Sequence, residues 1–220
     1  MSDFKPTDPL DGLREHWDQM AQRNESDSVR VDASPRAQRM RFAAFAQLES
    51  TAALQGTTLL DVGCGVGDFW AYLKGLGVKC NYVGVDVSEA MIERACAKFP
   101  DATFETRDIL EWDPGYRFDY VVAIGIHNVR IPGVEPLLER VTKRQFELCS
   151  RAAHVSLLTD RYPGFGPHAL SWRAEDALSM ALRITEHVTV RHDYLPNDFS
   201  VTLYREPLID RRRDLLAGLE

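Results

Sequence analysis

From residue 57 onward, short apolar runs alternate with segments whose apolar residues recur every three or four positions. The runs near 58–63, 81–86, 102–107, 118–124 and 153–158 are rich in Val, Leu, Ile, Tyr and Phe and read as strands. The segments 67–75, 88–98 and 134–151 carry helical periodicity, and Ser88 is placed to cap the second of them. This alternation predicts a mainly parallel sheet with helices on both faces. After the fifth strand, 161–168 is rich in turn formers and reads as a loop. Ser171 then caps a further helix to about Leu182, and two strands near 184–193 and 199–205 close a hairpin around Leu195-Pro196-Asn197-Asp198.

The first fifty residues follow a different rhythm. Leu10 to Gln22 reads as a helix with Leu13, Trp17, Met20 and Ala21 on one face. Ser34 as N-cap and Pro35 at the first position start a second helix, whose apolar face carries Met40, Ala43, Ala44 and Leu48. Residues 1–9 hold Pro6 and Pro9 among polar neighbours and are expected to be unstructured, and 24–32 reads as a loop. The expected organisation is therefore an N-terminal helical cap over 1–52, packed on an α/β unit over 53–220.

Composition narrows the class. A chain of 220 residues with 45% hydrophobic and 27% charged residues is enough for one ordinary globular core. A net charge of −7 disfavours a generic nucleic-acid or anionic-membrane binder. The basic run Arg211-Arg212-Arg213 lies between Asp210 and Asp214 and reads as a solvated tail helix. Cys64, Cys80, Cys96 and Cys149 form no Cys-x-x-Cys pair, so no metal is expected, and buried thiols suit a reducing, cytoplasmic setting. The start shows no apolar signal segment, and no run of ~18 apolar residues suggests a membrane span.

The chemistry concentrates at the ends of the predicted strands. Leu59-Leu60-Asp61-Val62-Gly63-Cys64-Gly65-Val66-Gly67-Asp68-Phe69 is an apolar strand ending in an acid, then a glycine-rich turn opening into a helix. A dinucleotide site uses Gly-x-Gly-x-x-Gly to bring backbone amides onto a pyrophosphate. Here the glycines read Gly-x-Gly-x-Gly, and Asp68 stands where the third glycine of that pattern would be. With Asp61 before the loop, two carboxylates would repel a pyrophosphate, which disfavours a nicotinamide-dependent dehydrogenase. They suit a cationic nucleoside such as S-adenosylmethionine (SAM), which has a sulfonium, an ammonium and no phosphate. Val83-Gly84-Val85-Asp86-Val87-Ser88 is a second strand ending in an acid, at the spacing of about 20 residues expected of a carboxylate that takes ribose hydroxyls. Arg107-Asp108-Ile109-Leu110 follows the third strand, and Gly125-Ile126-His127-Asn128 follows the fourth.

These four motifs, in this order, resemble the class I SAM-dependent methyltransferases over roughly residues 57–160, in a bacterial small-molecule-type subgroup. The resemblance implies a Rossmann-like doubly wound sheet of seven strands, mostly parallel with a C-terminal antiparallel hairpin. It implies that Gly63, Gly65 and Gly67 line the methionine part of SAM, with Cys64 in the same loop, and that Asp61 approaches its amino group. Asp86 would bind the ribose hydroxyls. Val87, Met91 and Ile109 would pack on the adenine, whose amino group Asp108 would accept, and Ile124 and Gly125 would complete the cofactor set. The chain departs from many members at Cys149-Ser150-Arg151-Ala152-Ala153, where they carry a Pro-Gly-Gly turn.

Methyl transfer from a sulfonium is an in-line displacement, and much of its barrier is lowered by holding the reactants in line. A general base helps where the nucleophile must lose a proton. Ligands of open α/β sheets sit beyond the carboxyl ends of the strands, which makes His127 the candidate base and Asn128 a candidate to orient the acceptor. The stretch lacks the Asn/Asp-Pro-Pro-Tyr/Phe turn of amide and adenine methylases and the Pro-Cys nucleophile of cytosine methylases. Arg41 is a candidate for the SAM carboxylate, with an ion pair at the surface as its alternative. Trp17, Tyr162, His192 and Tyr194 are candidate acceptor contacts; His192 and Tyr194 alternate about Asp193 and are expected on one face. Asp119 reads as structural. The expected activity is methyl transfer to O or N of a small molecule, giving S-adenosylhomocysteine (SAH), by a monomer or homodimer that engages neither nucleic acid nor membrane. A protein side-chain methylase and a non-catalytic SAM-binding protein are the alternatives.

Overall fold

The computed structural model describes residues 8–23 and 34–207; the basic tail run, the polar start before residue 8 and the stretch from 24 to 33 lie outside them. The elements follow in the order α1 (Pro9–Arg23), α2 (Pro35–Glu49), β1 (Thr58–Val62), α3 (Asp68–Gly75), β2 (Asn81–Asp86), α4 (Glu89–Lys98), β3 (Thr103–Thr106) and β4 (Phe118–Ile124). They continue with α5 (Glu135–Leu148), β5 (Cys149–Thr159), β6 (Ser171–Trp172), α6 (Ala174–Leu182), β7 (Val188–Leu195) and β8 (Asp198–Tyr204). One sheet runs in the order β3-β2-β1-β4-β5-β8-β7, with the short β6 beside the end of β5. From β3 to β5 the pairing is parallel, and β8 and β7 add antiparallel.

The strands are apolar on both faces because helices cover both. Leu60 and Val62 of β1 join Val121 and Ala123 of β4 in one buried cluster with α5 and α6. Leu59, Tyr120 and Val122 face the other way, into a cluster with Phe45 of α2 and Phe69 of α3. The strand order turns back at β1: the chain lays β2 and β3 to one side of it and β4 and β5 to the other. A crevice therefore opens beyond the carboxyl ends of β1 and β4.

The helix starts read from sequence have the expected chemistry. Ser34 Oγ accepts from Ala37 N at 3.2 Å, and Ser88 Oγ accepts from Met91 N at 3.2 Å. Asp119 is structural: its carboxylate accepts from the Thr58 backbone at 2.9 Å and pairs with Arg151 at 3.0 Å, at the entrance of β4. Three boundaries differ, the first being the strand expected from 184, which begins at Val188. The helix expected over 134–151 ends at Leu148, and β5 begins at once at Cys149. No glycine turn is needed there because Arg205, from just beyond β8, donates to the Phe146 carbonyl and, at 3.1 Å, to that of Cys149, satisfying the free helix end. Ser171 is not a helix cap. It pairs with Leu158 as part of β6, and α6 starts three residues later behind Arg173, with no side-chain cap. Among the described residues no helix is long and apolar enough to cross a membrane.

Candidate active site

The glycine loop is stitched to the end of β2. The amides of Gly63 and Cys64 both donate to the Val85 carbonyl, at 2.7 and 3.1 Å, and the Gly65 amide donates to Asp86 Oδ2 at 2.9 Å. Gly63 has φ 70°, and a Cβ there would fall 2.2 Å from Ile126 Cγ2, so the loop after β4 closes on bare backbone. Gly67 also has positive φ, but its missing side chain makes room for Phe104 and Phe99. It heads α3 and does not line the cavity, unlike Gly63 and Gly65.

Above this loop lies a cleft, and most of the residues singled out from sequence meet on its walls. Asp61, Cys64, Asp86, Val87 and Met91 line it from β1, β2 and α4. Asp108 and Ile109 line it from the turn after β3, and Ile124, Gly125, His127 and Asn128 from the end of β4. Trp17 of α1 and Arg41 of α2 complete the roof.

The two acids at the strand ends are buried, Asp61 to 3% and Asp86 to 8% of full exposure. Burial pushes the Asp61 carboxyl up to about 7, against the Tyr82 hydroxyl that donates to it at 2.6 Å; Asp86 nearby adds to the rise. Burial also raises Asp86, although the Ser88 and Gly65 amides donate to its two oxygens. Such carboxyls are costly to ionise alone and gain most from a cation or from donors arriving in the cleft. Asp108 Oδ1 accepts from Leu110 N at 2.8 Å, which folds the turn after β3 against the cavity. The Cys64 thiol is buried and held well above its ordinary pKa, chiefly by burial and then by Asp86 and Asp61, so it stays protonated.

His127 and Asn128 are 5% and 2% exposed. Among the described residues, neither His127 Nε2 nor Asn128 Oδ1 has a hydrogen-bond partner. Burial lowers the His127 pKa to about 4, so the imidazole is neutral at pH 7. Their backbone is held from outside the cleft: Trp172 Nε1 donates to the His127 carbonyl at 3.0 Å and Leu170 N to that of Asn128 at 2.9 Å.

Three of the four candidate acceptor contacts lie elsewhere. Tyr162 is in an exposed loop against Phe165, with ring centroids 5.0 Å apart. The register of β7 on β8 shifts between Arg191 and Leu195, so the strict alternation expected at His192 and Tyr194 does not carry through. His192 is exposed and packs edge-on against Phe199, whereas the Tyr194 hydroxyl donates to Asp198. Asp198 also takes Arg41 Nε at 2.5 Å, with both side chains buried. Arg41 is thus anchored in the interior rather than paired at the surface.

Several contributors escaped the sequence reading. Leu10 and Leu13 of α1, Gln38 and Phe42 of α2, and Leu137 and Val141 of α5 also line the cleft. Gln38 Nε2 donates to Asp68 at 3.0 Å, and Lys98 pairs with the other Asp68 oxygen at 3.0 Å. Asp18 of α1 accepts from the Ser88 hydroxyl, and Arg14 donates to the Val87 carbonyl at 3.3 Å, so α1 is fastened to the mouth of the cleft. Arg144 of α5 donates to the carbonyls of Ile109 and Trp112, at 3.2 and 2.7 Å, and fixes the turn after β3. The helical periodicity of 10–22 was the available signal for Leu10 and Leu13. Nothing local marks the roles of Arg144 or Asp198, because Ile109 and Trp112 on the one hand and Arg41 on the other are distant in sequence.

Comparison with known proteins agrees with this architecture. Residues 59–144 match the family model described as a methyltransferase domain. Magnesium protoporphyrin IX methyltransferase of Synechocystis PCC 6803, solved with bound SAM, superposes with a TM-score of 0.69 at 17% identity, over 93% of this chain and 100% of that one. The N-methyltransferase NodS of Bradyrhizobium japonicum WM9, solved with SAH, gives 0.63 at 17% identity, over 87% and 97%. Among curated relatives, a Mycobacterium tuberculosis protein named as a methyltransferase is 36% identical over 78 residues, 34% of this chain and 45% of its own length. Trans-aconitate 2-methyltransferase of Escherichia coli O1:K1 is 35% identical over 65 residues, 30% of this chain and 26% of its own length. The match spans less than half of either curated relative. The family-model match runs from β1 into α5, the segment that carries the glycine loop and the strand ends of the cleft, and the fold around it is the Rossmann-like architecture of these solved methyltransferases.

Proposed function

We propose that this chain is a SAM-dependent methyltransferase that methylates O or N of a small molecule and releases SAH. The observation that carries the reading is the pair of buried, high-pKa carboxyls, Asp61 and Asp86, flanking a glycine loop fastened to β2. Such a cradle suits a ligand with an ammonium at one end and ribose hydroxyls in the middle, and it is poorly matched to a pyrophosphate. In this reading Asp61 takes the amino group, Asp86 the ribose hydroxyls and Asp108 the adenine amino group. Val87, Met91 and Ile109 pack on the base, and Arg41 faces the carboxylate.

SAM supplies an electrophilic methyl on a sulfonium. The chain's own work is to bind, align and exclude water. The glycine loop and the end of β4 bring backbone close to the reacting region, and a near-attack alignment can lower a barrier by up to roughly 7–11 kcal/mol. His127 and Asn128 stand where an acceptor would be held. Residues 1–52 act as a cap: α1 and α2 both contribute walls to the cleft, which favours a small acceptor over an extended protein segment. The acceptors named for one structural neighbour and one curated relative, magnesium protoporphyrin IX and trans-aconitate, are also small molecules. A cytoplasmic setting fits the four cysteines, none of them in a disulfide. The net charge of −7 argues against nucleic acid as partner.

Thermal unfolding with SAM, SAH, NAD or no ligand tests the reading. A ligand that binds only the folded state at ~100 times its Kd adds about 2.7 kcal/mol. Stabilisation by SAM and SAH but not NAD is expected. Stabilisation by NAD alone, or by none of the three, refutes it.

A further inference from the structure

The acceptor end of the cleft has a composition of its own. Its wall is apolar: Leu10 and Leu13 of α1 and Leu137 of α5 line it, and all three belong to one packed cluster with Leu170 and Trp172. Trp172 is the residue whose indole holds the His127 carbonyl, which places this cluster beside His127. No Lys or Arg from α1, from the loop after β4 or from α5 lines the cavity. Among the described residues the two lining cations come from elsewhere, and each already has a carboxylate: Arg41 pairs with Asp198 and Arg107 with Glu105. Into this apolar end the chain places two nearly fully buried polar side chains, His127 and Asn128, each with an unpartnered atom.

An orphaned buried polar atom is costly, and where it lines a cavity a bound ligand can satisfy it. Asn128 Oδ1 is an acceptor, and in its Nδ1–H tautomer the neutral His127 imidazole presents the unpartnered Nε2 as a second acceptor. Both therefore select a molecule that brings hydrogen-bond donors. A carboxylate brings none and would lie against the Asn128 oxygen with no cation to neutralise it. An alcohol brings one and must give up its proton to become a good nucleophile. A neutral amine brings its donors and already carries its lone pair.

We propose that the acceptor is an uncharged amine nitrogen on an apolar body, its N–H groups donated to Asn128 and His127. This rests on the methyltransferase reading given above. The nitrogen lone pair forms the new C–N bond as the C–S bond breaks. The sulfur keeps the bonding pair and becomes the neutral thioether of SAH, and the methylated ammonium gives its extra proton to water. No strong base is required, in keeping with a histidine that burial holds neutral.

The test begins with SAH binding by calorimetry. The SAH-saturated protein is then titrated at pH 8.5 with matched fragments whose amine is uncharged at that pH: aniline, phenol and benzoate, and their para-methyl derivatives. Binding is read by ligand-observed NMR, and methyl transfer from SAM by mass spectrometry. The amines are expected to bind at least fivefold more tightly than their phenol and carboxylate counterparts, and methylated product is expected from amines alone. Asn128→Leu should erase that preference and Asn128→Asp should keep it; if the leucine variant does not fold, His127→Phe serves in its place. SAH binding with a phenol or carboxylate bound as well as the amine, or with no amine bound, overturns the amine assignment alone. Failure to bind SAH overturns the cofactor reading and this proposal with it.

Discussion

Asp61→Asn separates function from stability at one atom. Burial holds the pKa of the Asp61 carboxyl up at about 7. If it pairs with the ligand ammonium, only the ionised form binds well. The ionised fraction falls from about nine-tenths at pH 8 to about one-tenth at pH 6, so SAH affinity should weaken about tenfold, or roughly 1.4 kcal/mol, over that range. Binding at pH 6 should release close to one proton, visible as a buffer-dependent heat. In Asp61→Asn the affinity at pH 8 should drop roughly 10- to 100-fold, the cost of a charge-assisted bond, and the pH 6–8 slope should vanish. The ligand-free protein should move the other way. Because the folded pKa lies above the unfolded one, the carboxyl's contribution to stability is full below pH ~4 and is lost as pH rises through about 7. At pH 8 this leaves a burden on the order of 3–4 kcal/mol, which the amide does not carry while its oxygen still accepts from Tyr82. Urea unfolding at pH 8 should therefore show a more stable variant that binds SAH worse. A variant no more stable than the parent, or one that keeps the parent's pH slope of binding, would falsify the assignment.

Gly63→Ala should abolish SAH binding and cost roughly 1–3 kcal/mol of stability, since its Cβ would meet Ile126 at 2.2 Å in a positive-φ backbone; calorimetry and urea melts read the two effects. His154, wholly buried beside Phe45, has its pKa lowered to about 3 by burial and secondarily by Arg191. Its contribution to stability is present above pH ~6.5 and is lost as pH falls toward 3, so the parent should lose about 1.4 kcal/mol per pH unit relative to His154→Gln between pH 6 and 4. Equal acid sensitivity of the two proteins would count against this. Gln145 is fully buried with neither amide atom partnered among the described residues. Gln145→Leu should accordingly be neutral or stabilising by about 1 kcal/mol, and a loss beyond 1 kcal/mol would show that the amide is satisfied after all.

Much of the cleft could be read from the chain because its chemistry is local. A strand, an acid and a glycine turn occupy consecutive positions from Leu59 to Asp68, and their geometry depends on near neighbours. The same holds for the caps Ser34 and Ser88. What escaped depends on partners far along the chain. The start of β5 at Cys149 rests on Arg205, and the fixed pose of Arg41 rests on Asp198. Ser171 has a good capping side chain, but pairing with Leu158 claims its backbone for the sheet, and tertiary pairing overrides local preference. His192 and Tyr194 failed as a pair because a bulge cannot be seen in an alternating pattern.

The loop between β5 and β6 is tied at its neck. Asp160 N donates to the Trp172 carbonyl at 3.0 Å, Arg130 N donates to that of His168 at 2.8 Å, and Val129 bridges Ala169. The same neck holds the carbonyls of His127 and Asn128. Residues 161–167 thus hang outside a closed clasp, and their length and composition are released from the demands of the reacting region. Closing a longer loop at the same neck costs only about 0.6 kcal/mol per doubling of length. Descendants of this chain can therefore rewrite this loop, by insertion as readily as by substitution, while His127 and Asn128 stay where they are: a division of labour that lets the outer surface change apart from the cleft.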